Sequence, residues 1–343
     1  MSHSNQSIAN SIEELTAFTS QPAVWLSELT ELRIFELSGE DASAFLQGQF
    51  CNDLAQASST QAQITGYCTP KGRLLALPTL VGFENGFRLI VPSDVADPFI
   101  KRLSMFVMRS KVVITELTDW SVIGLTLQES DNDLTEHLGA LPVGSYSVST
   151  SDSAQLIRCH DDRSASYSGS SARTRFLRIA ENENQQQLIS SLPDVKNVTD
   201  HAWRLSDISA GVPSITSGVV EAFVPQMINL QLIDGLSFTK GCYPGQEIVA
   251  RMQYLGKLKR HMRVFSMHID EKLDIDTALA AGATLHSGDD ANAGVVVDAM
   301  PVSGSRALVL AVTKVMAEAD FSLAGKQLEV FEMPYSLPSL EVA

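Results

Sequence analysis

Cysteine is scarce in this chain: Cys51, Cys68, Cys159 and Cys242 are the only four in 343 residues, and no two stand at a C-x-x-C spacing. Neither a zinc site nor a local redox pair is signalled, and reduced thiols are expected. No stretch approaches the roughly 18 consecutive apolar residues of a membrane-spanning helix. Residues 1 to 10 are polar, with neither an apolar signal core nor an Arg-rich transit pattern, so a cytoplasmic location is expected. Internal repeats, a Walker loop and a dinucleotide fingerprint are also missing; Gly235 and Gly241 lack the strand-loop-helix context that a phosphate cradle needs. Positive charge is in short supply, with 25 Lys and Arg against 40 Asp and Glu and a formal net charge of -15. Such a surface repels nucleic acid and acidic lipid over most of its extent.

What is present is a folding composition, with 44% hydrophobic residues in a chain too long for one ordinary core, so two or three units are expected. Residues 32 to 37 alternate like a half-buried strand, and Ser38 to Asp41 turn into a helix through Phe45 and Leu46. Further strands are expected at 62 to 68, 73 to 82 and 86 to 91, with Asn85-Gly86 as a hairpin turn, then a helix near 95 to 107 and strands near 111 to 116 and 121 to 128. A Ser- and Asp-rich stretch from 145 to 172 reads as an exposed excursion without chemistry. A strand at 173 to 179 and helices at 182 to 192 and 200 to 210 follow, the last ending at Gly211-Val212-Pro213. From about residue 262 the pattern becomes short β runs separated by Gly, Ser and Asp, which suggests a small C-terminal barrel or sandwich. The division expected is therefore an α+β body over 1 to 261 and a β domain over 262 to 343.

The most informative run is Lys240-Gly241-Cys242-Tyr243-Pro244-Gly245-Gln246-Glu247, followed by apolar residues at helical spacing. A thiol ahead of a helix N-terminus and beside Lys can shift from a free pKa of about 8.5 into a range of roughly 3.5 to 7.5. By local physics alone, a reactive thiol and an inert core cysteine both fit. Residues 240 to 263 hold Lys240, Arg251, Lys257, Lys259, Arg260 and Arg263 against Glu247 alone, a basic island on an acidic chain. It can steer an anionic ligand or be a plain solvated surface. Gly241 and Gly245 permit a tight turn and close approach to the sulfur. Gln246 can bond the edge of a heterocycle, and Glu247 can cap the helix or pair with Arg251 at i, i+4.

The segment Lys240 to Arg251 fits the K-G-C-[FY]-x-G-Q-E-x-x-x-[KR] signature of the YgfZ family at every fixed position. Phe45-Leu46-Gln47-Gly48-Gln49, Pro70-Lys71-Gly72-Arg73, Ala210-Gly211-Val212-Pro213, Pro225 to Gln231 and Pro334-Tyr335-Ser336-Leu337 support the resemblance in order. It implies an aminomethyltransferase-like folate-binding body with a C-terminal β-barrel, and an auxiliary factor for assembling or maintaining iron-sulfur enzymes, including those that thiolate tRNA. Under it Cys242 becomes the functional atom, with Lys240 and Arg251 candidates for stabilising its thiolate. Folate contacts are implied at Trp203, Leu32, Gln226, Gln246 and Glu247, with Trp203 stacking on a pterin or simply packing in the core. Two departures weaken binding of tetrahydrofolate or a folate derivative: Leu32 stands where relatives carry a second tryptophan, and Ser209 where a related motif has a glutamate. A carboxylate accepts two hydrogen bonds from a pterin, and a hydroxyl offers one weaker contact.

Three function classes follow: the folate-linked factor, an aminomethyl or one-carbon transferase, and a non-catalytic adaptor using the basic segment 240 to 263. Transfer chemistry is disfavoured because Gly72 to Leu77 contains no carboxylate. Direct tRNA binding is not expected on so acidic a body. A single thiolate cannot fill the four-ligand shell of a typical cluster, so any cluster at Cys242 would draw on glutathione, a partner or a second subunit.

Overall fold

Alternation along Trp120–Leu127 sets the layering of the body. Ile123, Leu125 and Leu127 fill one side layer, while Val122 and the bare backbone of Gly124 face the opposite one. This strand is central to a six-stranded sheet ordered Val148–Ser151, Ala154–Arg158, Thr174–Glu181, Trp120–Leu127, Val24–Glu28, Val195–Val198, antiparallel except for the last pair. Leu188 from the helix Asn182–Ser191 packs into the side layer with Ile123 and Leu125, and Trp203, Leu205 and Ile208 from the helix Asp200–Ser209 pack on the other. The computed structural model describes residues 24–127, 134–151, 154–162, 173–192, 195–254, 256, 258–303, 305–315 and 320–337.

A second, fully antiparallel sheet runs Gln63–Ile64, Thr79–Phe83, Gly86–Pro92, Leu32–Ser38, Val113–Glu116. The helix Ser93–Ser104 covers it through Val95, Ala96, Phe99 and Leu103, with Phe99 edge-on to Tyr67 at 5.2 Å. The expected hairpin at Asn85-Gly86 is present, joining Phe83 to Gly86. The long strands expected at 62 to 68 and 73 to 82 are each broken in two, because Thr65-Gly66 and Leu77-Pro78 leave the ladder between them.

The stretch 145 to 172 corrects its expectation. Val148–Ser151 and Ala154–Arg158 are strands of the first sheet, and Ile157 and Asp162 are completely buried. Residues 152–153 and 163–172 of that stretch, and Lys257 of the basic island, lie outside the described residues.

The C-terminal strands close into a barrel, not a sandwich: Arg260–His268, Arg306–Lys314, Asp290–Ser303, Thr284–Ser287, Phe321–Leu323 and Lys326–Phe331, the last pairing back onto the first. Phe265 and Phe321 meet edge-on at 5.7 Å in its core. His261, on the first strand, is buried and accepts a hydrogen bond from Arg263 Nε at 2.6 Å. Burial, aided by the Arg263 charge, pulls its pKa down to about 4. An unfolded histidine titrates near about 6.5, so the unfolded state takes up the proton first as pH falls. Stability should therefore decline between about pH 6.5 and 4. His261→Gln should flatten that part of a pH-melting profile; an unchanged profile would rule out His261 as its source. No described helix is long and apolar enough to cross a membrane.

Candidate functional site

The helix Asp200–Ser209 supplies two side chains one turn apart, Trp203 and Asp207, to one cavity wall. Trp203 sits over Gly124: a Cβ there would fall 2.2 Å from the indole, so only glycine lets the ring lie this close to the sheet. Two adjoining cavities of about 360 and 100 Å³ share Trp203, Asp207, Leu32, Pro92, Val212 and Ser214 as walls. The expected neighbourhood of Trp203 and Leu32 is thus brought together.

Arg175 organises the inner cavity. It is almost fully buried, donates to His160 O at 2.9 Å and to Asp207 Oδ1 at 2.6 Å, and stands 4.5 Å over the Trp203 ring. One face of the indole is therefore already covered by a cation, leaving less of it for a pterin than the sequence suggested. Burial pushes the Asp207 carboxyl up while Arg175 pulls it back. His160 is lowered by burial and by the Arg175 charge, and its buried Nε2 has no partner among the described residues. Burial pushes the Cys159 thiol, on the same wall, up to about 11, which makes it a poor nucleophile.

Asp207, Arg175, His160, Cys159 and Tyr146 were missed in the sequence. For Asp207 the signal was available: it lies four residues after Trp203 on one helix. Ser209, by contrast, points away from the cavity, with its hydroxyl 3.0 Å from Asp162 Oδ1 and fully buried. Ser209 therefore lines neither cavity, and the carboxylate on their shared wall is that of Asp207, two residues earlier.

Tyr146 lines the inner cavity and also a third one of about 440 Å³, whose far wall is Ser237, Phe238 and Thr239 of the loop leading to Cys242. Its φ is +60°, a costly conformation for an aromatic residue. Cys242 is exposed at the end of that loop and lines none of these three cavities.

The helix after Cys242 spans Gln246–Tyr254, starting slightly later than Pro244-Gly245 suggested. Gly245 has φ +84°, and a Cβ there would lie 2.5 Å from Thr69 O and 2.6 Å from Gly72 Cα. The hairpin tip carrying Pro70-Lys71-Gly72-Arg73 and the cysteine loop thus meet backbone to backbone. Gly241 has open space around its Cα and is not needed for the turn, although that space leaves the approach to the sulfur clear.

Lys240 corrects the second expectation. Its ammonium donates to the carbonyls of Gln47 at 2.6 Å, Phe50 at 2.6 Å and Asn52 at 2.9 Å, so all three N–H bonds are spent inside the body. None remains for a bond to the Cys242 sulfur; the charge instead faces buried Cys51. Burial pulls its pKa down to about 8. Gln226 is likewise redirected: it is buried and donates from Nε2 to Val249 O at 2.7 Å, anchoring the helix after Cys242 instead of lining the Trp203 cavity. Gln246 Nε2 lies 3.4 Å from the carbonyls of Lys240 and Gly241, steadying the loop. Glu247 and Arg251 are both exposed and form no ion pair among the described residues, so the expected i, i+4 pair is not made.

No family model matches the chain. It is 31% identical over 253 residues to the tRNA-modifying protein YgfZ of Yersinia pseudotuberculosis, covering 71% of this chain and 74% of that one. It is 28% identical over 267 residues to the tRNA-modifying protein YgfZ of Colwellia psychrerythraea, covering 78% and 79%. Among solved structures, the glycine cleavage system aminomethyltransferase T of Bartonella henselae matches with a TM-score of 0.68 over 94% of this chain and 88% of that one. At 12% identity that likeness establishes the aminomethyltransferase-like fold alone.

Proposed function

Because this chain belongs to the YgfZ family of tRNA-modifying proteins, we propose that it is a folate-binding auxiliary factor for iron-sulfur enzymes, including those that thiolate tRNA, with Cys242 as its reacting atom. The observation that carries the reading is the Trp203–Arg175–Asp207 cavity, which shares Tyr146 as a wall with the cavity lined by Ser237, Phe238 and Thr239 of the loop leading to the exposed Cys242. The residues present fit a pterin. Asp207 supplies a carboxylate that can accept from its amino and ring N–H groups, Arg175 keeps that carboxylate oriented, and Leu32 and Val212 give an apolar wall. A bound reduced folate would supply a one-carbon acceptor.

Cys242 is open to a partner and stands on a backbone fixed by Gly245, Gln246 and Lys240. Its sulfur supplies one ligand or one attacking thiolate; any cluster it handles is cargo completed by ligands from a client protein or small thiol. The clients are cluster-dependent enzymes in the same compartment, which we place in the cytoplasm.

Asp207→Asn should weaken tetrahydrofolate binding about tenfold or more by titration calorimetry, the cost of losing one charged hydrogen-bond acceptor. Equal affinity in the variant would remove Asp207 from the folate site. Cys242→Ala should lower the thiolated fraction of tRNA in cells toward that of cells without the protein, while the purified variant keeps its melting temperature. Undiminished thiolation would defeat the role assigned to the sulfur.

A further inference from the structure

Among the described residues nine large hydrophobic side chains are exposed, and four of them fall within residues 105–113: Met105 at 59%, Phe106 at 44%, Met108 at 85% and Val113 at 60%. Single exposed apolar residues are ordinary, but a concentrated group marks a contact surface. Val113 begins the strand Val113–Glu116, which is the last strand of the five-stranded sheet and, among the described residues, pairs only with Leu32–Ser38. Leu117 N–H donates to Ile34 O. Alternation along an antiparallel pair then turns the N–H and C=O groups of Ile114 and Glu116 outward, onto the open edge.

This edge is locally basic on an acidic chain, although Lys111 is already paired with Glu40 and Glu116 with Arg33. Residues 98–115 contain Lys101, Arg102, Arg109 and Lys111 and no carboxylate, in a chain of net charge -15. Arg102 stands 5.9 Å from the Phe106 ring, and Met108 is held at φ +34° at the tip of the turn. Unpaired backbone groups, adaptable Met side chains and a cationic border together define the occupant: an extended strand whose apolar residues alternate with carboxylates. A second copy of this chain would bring the same cations against these and is repelled. RNA would gain from the charge but nothing from Met105, Met108 and Val113. A lipid surface would leave the open ladder unused.

We propose that the edge strand Val113–Glu116, with the Met105–Arg109 turn, is the docking site for an extended acidic-apolar segment of a partner protein, which adds to the sheet as a sixth strand. The proposal is independent of the folate cavity and of Cys242. To test it, the full-length protein would be made in cells with a photo-crosslinking phenylalanine derivative at position 108 or 113, and the adduct mapped by mass spectrometry. The mapped segment should be extended, with apolar residues alternating with Asp or Glu. As a synthetic peptide it should protect the Ile114 and Glu116 amides from hydrogen exchange, and it should bind Val113→Glu and Met108→Glu proteins about tenfold more weakly although both melt like the parent. Adducts to tRNA, lipid or a second copy, no adduct at either position, or peptide binding that ignores both substitutions would overturn the proposal.

Discussion

Lys240→Met should lower the unfolding free energy by about 3 to 5 kcal/mol, since three inward-facing carbonyls lose their donor at once and each unpaired buried acceptor costs about 1 to 3 kcal/mol. Methionine keeps most of the stem volume, so the loss isolates the ammonium from its packing. The acceptors, on Gln47, Phe50 and Asn52, end the helix Ala42–Gln47 and lead into the buried turn that carries Cys51. Lys240 therefore ties the cysteine loop to the body across roughly 190 residues of sequence, a long-range link that local structure cannot replace. Denaturant titration checks this, with Arg251→Ala as the comparison: Arg251 is exposed and without an ion pair among the described residues, so its variant should stay within about 0.5 kcal/mol of the parent. A Lys240→Met protein as stable as the parent would mean that water or a shifted backbone satisfies those carbonyls.

Gly245→Ala should be comparably damaging, by about 3 kcal/mol or more. A left-handed backbone alone costs an alanine about 1 to 2 kcal/mol. Beyond that, the new methyl would enter the 2.5 Å to 2.6 Å space already held by Thr69 O and Gly72 Cα and N, which are backbone atoms with little freedom to yield. The hairpin tip and the cysteine loop would have to part, and Cys242 would lose its fixed position with them. Gly72→Ala is the milder control: its φ is also positive at +70°, but its methyl would meet Ile248 Cβ at 3.2 Å and Gly245 O at 3.3 Å, close contacts and not the overlap that Gly245→Ala creates. Equal melting temperatures for Gly245→Ala and the parent would show that the two segments are not pressed together in solution.

Much of the secondary structure was legible because it rests on periodicity. The strand at Leu32–Ser38, the helices at Asn182–Ser191 and Asp200–Ser209 and four of the six barrel strands follow from spacing of apolar residues and from Gly and Pro punctuation. The strands Thr284–Ser287 and Phe321–Leu323 were not anticipated, being too short to show a period. Periodicity left barrel or sandwich open, because the closing pair of Lys326–Phe331 with Arg260–His268 joins residues distant in sequence; the family resemblance expected the barrel, and the barrel is present. The stretch 145 to 172 misled for a related reason. Along the strand Ala154–Arg158 the polar Gln155 is as buried as Leu156 and Ile157, because its amide donates to Gly82 O at 2.8 Å, a long-range bond that composition does not show.

The sequence by itself determined the family, through the run from Lys240 to Arg251, and it identified Cys242 and Trp203 as residues to watch. Those conclusions need only residue identity and spacing along the chain. Tertiary structure decided where each charge goes: Lys240 turns inward to three carbonyls, Ser209 turns toward Asp162, and Arg175 and Asp207, 32 residues apart, meet at 2.6 Å beside Trp203. A cationic side chain takes the acceptors that folding places within its reach, and a buried one cannot be left unpaired. Which acceptors those are depends on the packing of sheets and loops distant in sequence, so no local motif could have announced them.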